Sequence, residues 1–393
     1  MLRPARRRAP AARRRAGAVL PLTLVVITLL LVLAMGGAAA MTQSFRSGRN
    51  LLVEQRAFTV AEYGLNRELS TWRRSRNLPA PTGMAIGATD DSSVYVAAGD
   101  TARVRITRLT PMTFWVVSIG RASIGQPAVT AQRTTSAYVR LAYPTISTRS
   151  AVTVGGSIDV SGSAVVSGKN TPPAGWAQCD SLGGPDAPAI LAPPGASVSY
   201  KPQNVPSTPA VAYDPAAADS NTFVRFGTES WTSLQSNADI TLTNGTYKND
   251  IAPSLTPAGA CDYANQMNWG EPWRNAGNVT ACQGYFPIIY STGDLHLNGK
   301  GRGQGILLVN GSLEINGGFE WDGLIIVRDD LNKANGNALV NGTILARNAV
   351  IADGGSYVNG NQTVNYSTCA VASALRASAI LVRVRERAWA QMY

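Results

Sequence analysis

Four acidic residues near position 320 are the side chains of this chain that could best catalyse a reaction. Glu320, Asp322, Asp329 and Asp330 lie close together in the sequence, and a pair of carboxylates is what hydrolysis of a glycosidic bond requires. If they converge on one surface, they predict a polysaccharide-cutting enzyme. Asp329-Asp330 is also typical of a turn, because aspartate hydrogen-bonds its own backbone there. We favour this structural interpretation and predict no catalytic residue and no cofactor.

Histidine and cysteine are scarce. The chain has one histidine, His296, and four cysteines without a Cys-x-x-Cys pair, so no metal site is predicted. An even number of cysteines in an exported chain predicts two disulfide bonds, with three possible pairings. We favour Cys261 with Cys282, which are close in the sequence, and Cys179 with Cys369. Buried free thiols are the alternative.

Residues 168–285 are rich in proline and tryptophan. So many prolines interrupt regular strands, and we therefore predict loops inserted into a more regular domain. The aromatic content is too high for a free linker. Trp269 and Trp273 could form an exposed shelf that binds a carbohydrate or a protein. The alternative, which we favour, is that the tryptophans cover the core of the domain.

The regular domain is predicted over residues 150–370. Apolar strands recur there at a nearly constant spacing, with Asn-Gly pairs between them. This constant period indicates a β-solenoid, since Asn and Gly accept the left-handed backbone of its corners. A sandwich of hairpins is the alternative. The first strands of the repeats are predicted at Phe286–Tyr290, Gly305–Val309, Gly323–Val327, Gly342–Ala346 and Gln362–Tyr366, and second strands at Leu295–Leu297, Leu313–Ile315 and Ala349–Ile351.

Two smaller regions flank the solenoid. Residues 82–145 contain four β-branched and aromatic segments, which predict a small antiparallel sheet: Ser93–Ala97, Ala102–Leu109, Thr113–Ser118 and Ala137–Leu141. Residues 371–393 have apolar positions at helical spacing, which predicts a helix that caps the last rung of the solenoid.

The N-terminal region predicts a membrane-spanning helix. Residues 16–41 are uncharged and follow a basic leader, residues 1–15, with seven arginines. As a helix the uncharged segment measures about 39 Å and can cross a hydrocarbon core of about 30 Å. The arginines should remain in the cytoplasm. A secretory signal cleaved near Ala38–Ala40 is the alternative. The side chains predicted to contact lipid or other helices include Leu20, Val25, Leu29 and Val32.

Residues 42–77 continue this helix in amphipathic form. Proline is absent from residues 41–76, and an apolar stripe recurs at steps of three or four residues. Charged side chains lie mostly off the stripe, and the prolines that follow at 79 and 81 end the helix. The stripe consists of Phe58, Ala61, Leu65, Leu69 and Trp72.

Two segments give the chain a family resemblance. Arg14–Leu20 with the aliphatic run after it, and Arg56–Leu65 (Arg-Ala-Phe-Thr-Val-Ala-Glu-Tyr-Gly-Leu), resemble the N-terminal region of PilX-type minor pilins over about residues 13–76. The resemblance implies a type IV pilus assembly protein with one long helix and a globular head. It also implies that prepilin peptidase cuts after Gly17, which makes Ala18 the new N-terminus. Leu22 stands where major pilins carry glutamate, which PilX-type sequences often lack as well.

The distribution of charge along the chain bears on whether the protein binds nucleic acid. The formal charge of +11 lies in the N-terminal helix region and the C-terminal tail, and residues 77–375 carry −3. The body therefore lacks a basic surface for phosphates, and nucleic-acid binding is not predicted.

The sequence as a whole predicts an α+β, mainly β, membrane protein without enzymatic activity. We expect a pilin-like protein that crosses the bacterial inner membrane once and displays a solenoid head in the periplasm or at the cell surface, for priming of assembly or for adhesion. Its partners would be the membrane, other pilins or pilus assembly proteins, and a surface ligand. A permanently anchored binding scaffold outside any pilus is the alternative, and a polysaccharide-active enzyme is a third possibility.

Overall fold

Helix α1 is one uninterrupted helix of 52 residues, Val19–Ser70, in the computed structural model. The structure describes residues 19–392 apart from 98, 126–127, 143, 145, 147, 178, 180–183, 227–228, 244–245, 250, 276–277, 336, 347–355, 359–361 and 385–388. The predicted membrane segment and its amphipathic continuation are thus a single element. It ends before the predicted residue 77, and a 3₁₀ turn, Arg74–Asn77, follows it.

The buried face of α1 differs from the predicted stripe. Ala61 and Leu65 are buried as predicted, but Phe58 is only partly buried, and the charged Glu68 is inside. Small residues explain the shift, because the face with the smallest side chains lets the helix approach the sheet most closely. The buried positions of α1 are Val53, Ala57, Val60, Ala61, Gly64, Leu65 and Glu68.

Four antiparallel strands pack against the second half of α1. All four predicted segments are present, each of them in a strand longer than predicted, and each pairs with its sequence neighbour. Inward side chains alternate with outward ones, as in a sheet with one wet face, and Val104, Ile106 and Phe114 form a core with Leu65. The strands are β1 Thr89–Ala97, β2 Asp100–Arg108, β3 Thr113–Ile124 and β4 Val129–Ala142.

The proline-rich segment contains strands that the sequence did not predict. We expected only loops over residues 168–285, but five short strands of this segment join two parallel sheets. Short runs between the prolines are long enough for one strand each. The elements of this half are β5 Val152–Val154, β6 Ile158–Val160, β7 Val165–Ser167, β8 Ile190–Ala192, β9 Val198–Tyr200, β10 Val211–Tyr213, β11 Arg225–Phe226, β12 Glu229–Ser230, α2 Trp231–Ser236, β13 Ile240–Leu242 and β14 Thr246–Asn249.

The repeated region forms nine further strands. Each long strand pairs in parallel with its counterpart in the next repeat, as Ile288 does with Ile306 and Gly323 with Gly342. Successive repeats, each of which we call a coil of the chain, are therefore nearly equal in length. The predicted strand at 349–351 lies outside the described residues. These strands are β15 Ile288–Ser291, β16 Leu295–Asn298, β17 Arg302–Val309, β18 Leu313–Asn316, β19 Glu320–Val327, β20 Leu331–Asn335, β21 Leu339–Ala346, β22 Ser356–Val358 and β23 Thr363–Tyr366.

From β13 to β23, successive strands alternate between a ten-stranded and a seven-stranded parallel sheet. The main path of the larger sheet is β10-β8-β5-β21-β19-β17-β15-β13, and the smaller sheet is β14-β16-β18-β20-β22-β6-β9. The first strands of this region therefore lie beside its last ones, since β5 pairs with β21 and β6 pairs with β22. The two sheets enclose an apolar interior that includes Leu307, Leu313 and Ile325.

A column of glycines bends the long strands at the same level. Gly305, Gly323 and Gly342 are paired in register, and all three have positive φ values, between 122° and 151°. A Cβ at Gly323 would collide with the carbonyl oxygen of Gly305. Only glycine satisfies both conditions, so the column fixes the level at which each of these strands bends.

The C-terminal tail is not the predicted helical cap. It forms a helix, α3 Thr368–Ala377, and two strands, β24 Ile380–Arg383 and β25 Trp389–Met392. Helix α3 covers the outer face of the ten-stranded sheet rather than the last coil. Both strands pair with β4, because the run Ile380-Leu381-Val382 favours extended structure and β4 offers a long free edge.

Candidate functional site

The first half of α1 is an apolar surface without protein contacts. The predicted packing residues Leu20, Val25, Leu29 and Val32 are 78%, 59%, 61% and 69% exposed. Among the described residues, α1 is the one helix that is long and apolar enough to cross a membrane. Apolar side chains at this density are stable only against lipid or other helices. Gly17 and Ala18, the predicted processing site, lie outside the described residues.

Ion pairs fasten the second half of α1 to the sheet. Arg56 Nε lies 2.6 Å from the carboxylate of Asp100, which is almost fully buried, and Glu54 pairs with Arg133 of β4. At the C-terminal end of the helix, Arg76 pairs with Glu68 at 2.8 Å and with Asp90 of β1 at 2.7 Å. Ion pairs therefore hold the second half of α1 at both ends of its contact with the sheet.

Arg108 organises the turn that follows the helix. Its side chain is 1% exposed and donates to the carbonyl oxygens of Asn77 at 3.0 Å, Met84 at 2.8 Å and Leu78. Burial lowers the pKa of its guanidinium to about 10, which leaves it charged at neutral pH. The alternation of β2 contained the signal, since Arg108 has the same inward phase as the apolar residues 102, 104 and 106.

The structure contains two disulfides, with the pairing favoured from the sequence. Cys261 is bonded to Cys282, and Cys179 is bonded to Cys369. The first closes a loop of the inserted segment. The second joins that segment to α3. Both cysteines belong to the layer of side chains that covers the ten-stranded sheet, so this bond links two parts of the layer that are far apart in the sequence.

The predicted ligand shelf is wrong for Trp269. Its side chain is fully buried and packs edge-to-face on Trp321 inside the parallel coils, with a centroid distance of 6.1 Å. Its indole N–H is satisfied by the carbonyl of Gln266 at 2.9 Å. A large apolar surface gains most when buried, so the covering interpretation applies here. Trp273 is 39% exposed and belongs to a polar cluster.

This polar cluster joins the inserted segment to the coils. The fully buried Glu271 accepts two hydrogen bonds from Arg302, at 2.8 and 2.9 Å, and the Arg302 guanidinium lies 4.1 Å from the ring centroid of Trp273. The Trp273 indole donates to Glu320. Each charged group therefore has a partner within the cluster, and the arrangement fastens the insertion to β17 and β19.

The four acids proposed as a catalytic group are divided between two places. Glu320 and Asp322 lie on the same face of β19, Glu320 partly exposed and Asp322 buried, whereas Asp329 and Asp330 follow the strand at a corner. Asp322 accepts a hydrogen bond from Asn341 at 2.8 Å. Burial raises the pKa of Asp322 to about 7. Glu320 and Asp322 remain the one carboxylate pair of the four that lies on a common face.

No group of three or more His, Cys, Asp or Glu side chains that could hold a metal ion occurs in the described part of the chain. Comparisons with protein-family models, with curated proteins and with solved structures find no match for this chain. The structure itself provides the long apolar helix, the antiparallel sheet on its second half and the parallel coils beyond.

Proposed function

We propose that this protein is a minor pilin or pilus assembly component whose head is a β-solenoid. The observation that carries the proposal is the division of α1. Its first half is exposed and apolar at every described turn, and its second half is fastened into an antiparallel sheet. The resemblance of Arg14–Leu20 and Arg56–Leu65 to PilX-type pilins supports the same assignment.

The assembly mechanism would be helix packing. In the membrane, the first half of α1 would be surrounded by lipid, and in a filament the same surface would contact the helices of neighbouring subunits. Exchange of lipid contacts for helix contacts needs no charged group, because packing and lipid entropy drive association of apolar helices. The head would remain outside the membrane and prime assembly or adhere to a surface.

The compartment follows from the same elements. The arginine-rich leader would keep the N-terminus in the cytoplasm, so the head would be periplasmic or at the surface of a bacterial cell. Two disulfides in the head support an oxidising compartment. The nearly constant length of the parallel coils supports the solenoid interpretation.

N-terminal sequencing and intact mass of the protein from membranes of cells with a prepilin peptidase test this proposal. A start at Ala18 is expected, together with recovery of the protein in sheared filaments. A start near Met41 would contradict it, since a secreted head has no helix to pack.

A permanently anchored binding scaffold is the second candidate. Leu22 favours the scaffold. A glutamate at this position can pair with the N-terminal amine of a neighbouring subunit in a filament, and leucine cannot form that pair. An unprocessed chain that is absent from filaments would support the scaffold. A catalytic function is not part of either proposal, because Glu320 is engaged by the Trp273 indole and two of the four acids lie at a corner.

A further inference from the structure

A cleft lies where the end of α1 meets the parallel coils. Its volume is about 370 Å³, toward the lower end of the range of about 300–1,000 Å³ that is typical of small-molecule sites. One wall is the chain from Ser70 to Ser75, and the other comes from loops of the coil domain. These loops contribute Asp239, Tyr263, Gly284, Tyr285 and Phe286.

Two tyrosines give the cleft an aromatic wall. The rings of Tyr263 and Tyr285 meet at 80°, with centroids 4.8 Å apart. Tyr263 is 57% exposed, so much of its ring surface remains open although one side packs on another aromatic residue. A ring in this position can receive the C–H face of a ligand while its partner holds it in place.

The hydroxyl of Tyr285 is available to a ligand. It makes no hydrogen bond to the residues that the structure describes, although the side chain is partly buried. Burial raises the pKa of this phenol above its ordinary value, so it stays protonated at all physiological pH values. It is therefore a hydrogen-bond donor without an acceptor among these residues.

The charged groups of the cleft neutralise one another. Arg74 lies 2.5 Å from the carboxylate of Asp239, and Arg73 lies 2.6 Å from Asp90. An anionic ligand would have to compete with these carboxylates. Each guanidinium has five N–H groups and so retains donors beyond its ion pair.

Hydrogen-bond acceptors lie on the wall formed by residues 70–75. The hydroxyl groups of Ser70 and Thr71 both donate to the carbonyl oxygen of Arg67, at 2.9 Å. Their protons are thereby directed away from a ligand, and their oxygen lone pairs remain as acceptors. The cleft thus combines an aromatic wall, donors, acceptors and balanced charge.

We propose that this cleft binds a neutral sugar of one or two rings. A sugar has an apolar C–H face for Tyr263 and hydroxyl groups that both donate and accept, which matches the Tyr285 hydroxyl, the arginine N–H groups and the oxygens of Ser70 and Thr71. This inference goes beyond the proposed role in assembly and does not depend on processing of the N-terminus.

Isothermal titration of the full chain in lipid nanodiscs tests the proposal. The probes are maltose, cellobiose and N,N′-diacetylchitobiose, with empty nanodiscs and inorganic phosphate as controls. We expect at least one disaccharide to bind with a Kd in the millimolar range or below. Tyr263→Ala should weaken that binding at least tenfold, and Tyr285→Phe, which removes only a hydroxyl, several-fold.

Tyr213 provides a matched control. It is 56% exposed and lies on β10, at the opposite end of the ten-stranded sheet from β13, which follows Asp239. Tyr213→Ala should leave the affinity unchanged. Failure of all three disaccharides to bind, equal binding by Tyr263→Ala, or binding of phosphate in their place would each overturn the proposal.

Discussion

Gly120 of β3 lies directly against the backbone of Ala61 in α1, with no side chain between them. A Cβ at Gly120 would collide with the backbone of Ala57 and Ala61, neither of which can move without shifting the helix. This close contact between the helix and the sheet therefore depends on the absence of a side chain at Gly120.

The first prediction follows from this contact. Gly120→Ala should separate α1 from the sheet and lower the free energy of unfolding by about 1–3 kcal/mol, as overpacking of a tight contact does. The measurement is the urea midpoint of the head in the full chain. Gly48→Ala is the control, because nothing lies within 4 Å of a Cβ there, and it should be neutral or stabilising in a helix. Equal behaviour of the two variants would contradict the prediction.

The second prediction concerns the exposed half of α1. Val25→Asp should abolish membrane insertion or incorporation into filaments, because aspartate at the centre of a membrane helix costs about 3 kcal/mol. The head should stay folded, since Val25 makes no contact with it. Recovery in membranes and in sheared filaments is measured, with Val25→Leu as the control. A Val25→Asp chain that still appears in filaments would rule out helix packing as the mechanism.

The third prediction is a dependence of stability on pH. The pKa of Asp322 is raised from 3.8 to about 7, chiefly by burial, so between these values the folded chain holds a proton that the unfolded chain releases. The free energy of unfolding should therefore fall as the pH rises from about 4 to about 7, by at most about 4 kcal/mol. Asp322→Asn should remove this slope.

The measurement is the urea midpoint followed by tryptophan fluorescence, at several pH values from 4 to 8. At pH 8 the Asp322→Asn variant should be more stable than the unmodified chain, and near pH 4 the two should agree closely. Curves that run parallel over the whole range would show that Asp322 titrates at its ordinary pKa in the folded protein.

The fourth prediction compares the two disulfides. Cys179 and Cys369 are 190 residues apart, and Cys261 and Cys282 are 21 apart. In the chain-entropy model, the longer loop gives a stabilisation about 2 kcal/mol larger. Serine at both Cys179 and Cys369 should therefore lower the urea midpoint more than serine at both Cys261 and Cys282. The opposite order would mean that local strain, rather than unfolded-state entropy, dominates.

Local patterns predicted much of this structure. The uncharged run, the four strands of the antiparallel sheet and the strands of the repeat were predicted because periodicity and Asn-Gly spacing are short-range properties. The prediction for the C-terminal tail was partly wrong. Ile380-Leu381-Val382 can belong to a helix or a strand, and pairing with the edge of β4 decides between them. The site was predicted less well, because exposure of Trp269 depends on which surfaces meet.

Pairings between distant segments were beyond the sequence. Nothing local indicates that Val152–Val154 pairs with β21 or that Glu271 binds Arg302. Arg108 could have been recognised from its phase in β2, but the carbonyl groups that it binds come from a turn whose shape the alternation does not specify. The cleft between α1 and the coils likewise arises from two segments far apart in the chain.

The order of the strands has a consequence for export. If the head is exported as proposed, strands β5 and β6 would cross the membrane well before their partners β21 and β22, and β4 would cross before its partners β24 and β25. A partly translocated head would therefore have unpaired strand edges on the antiparallel sheet and on both parallel sheets. Under that proposal the pairing of the three sheets would be complete only after residues 380–392 had crossed, and a chain interrupted earlier would be a substrate for proteases or chaperones rather than a smaller folded head.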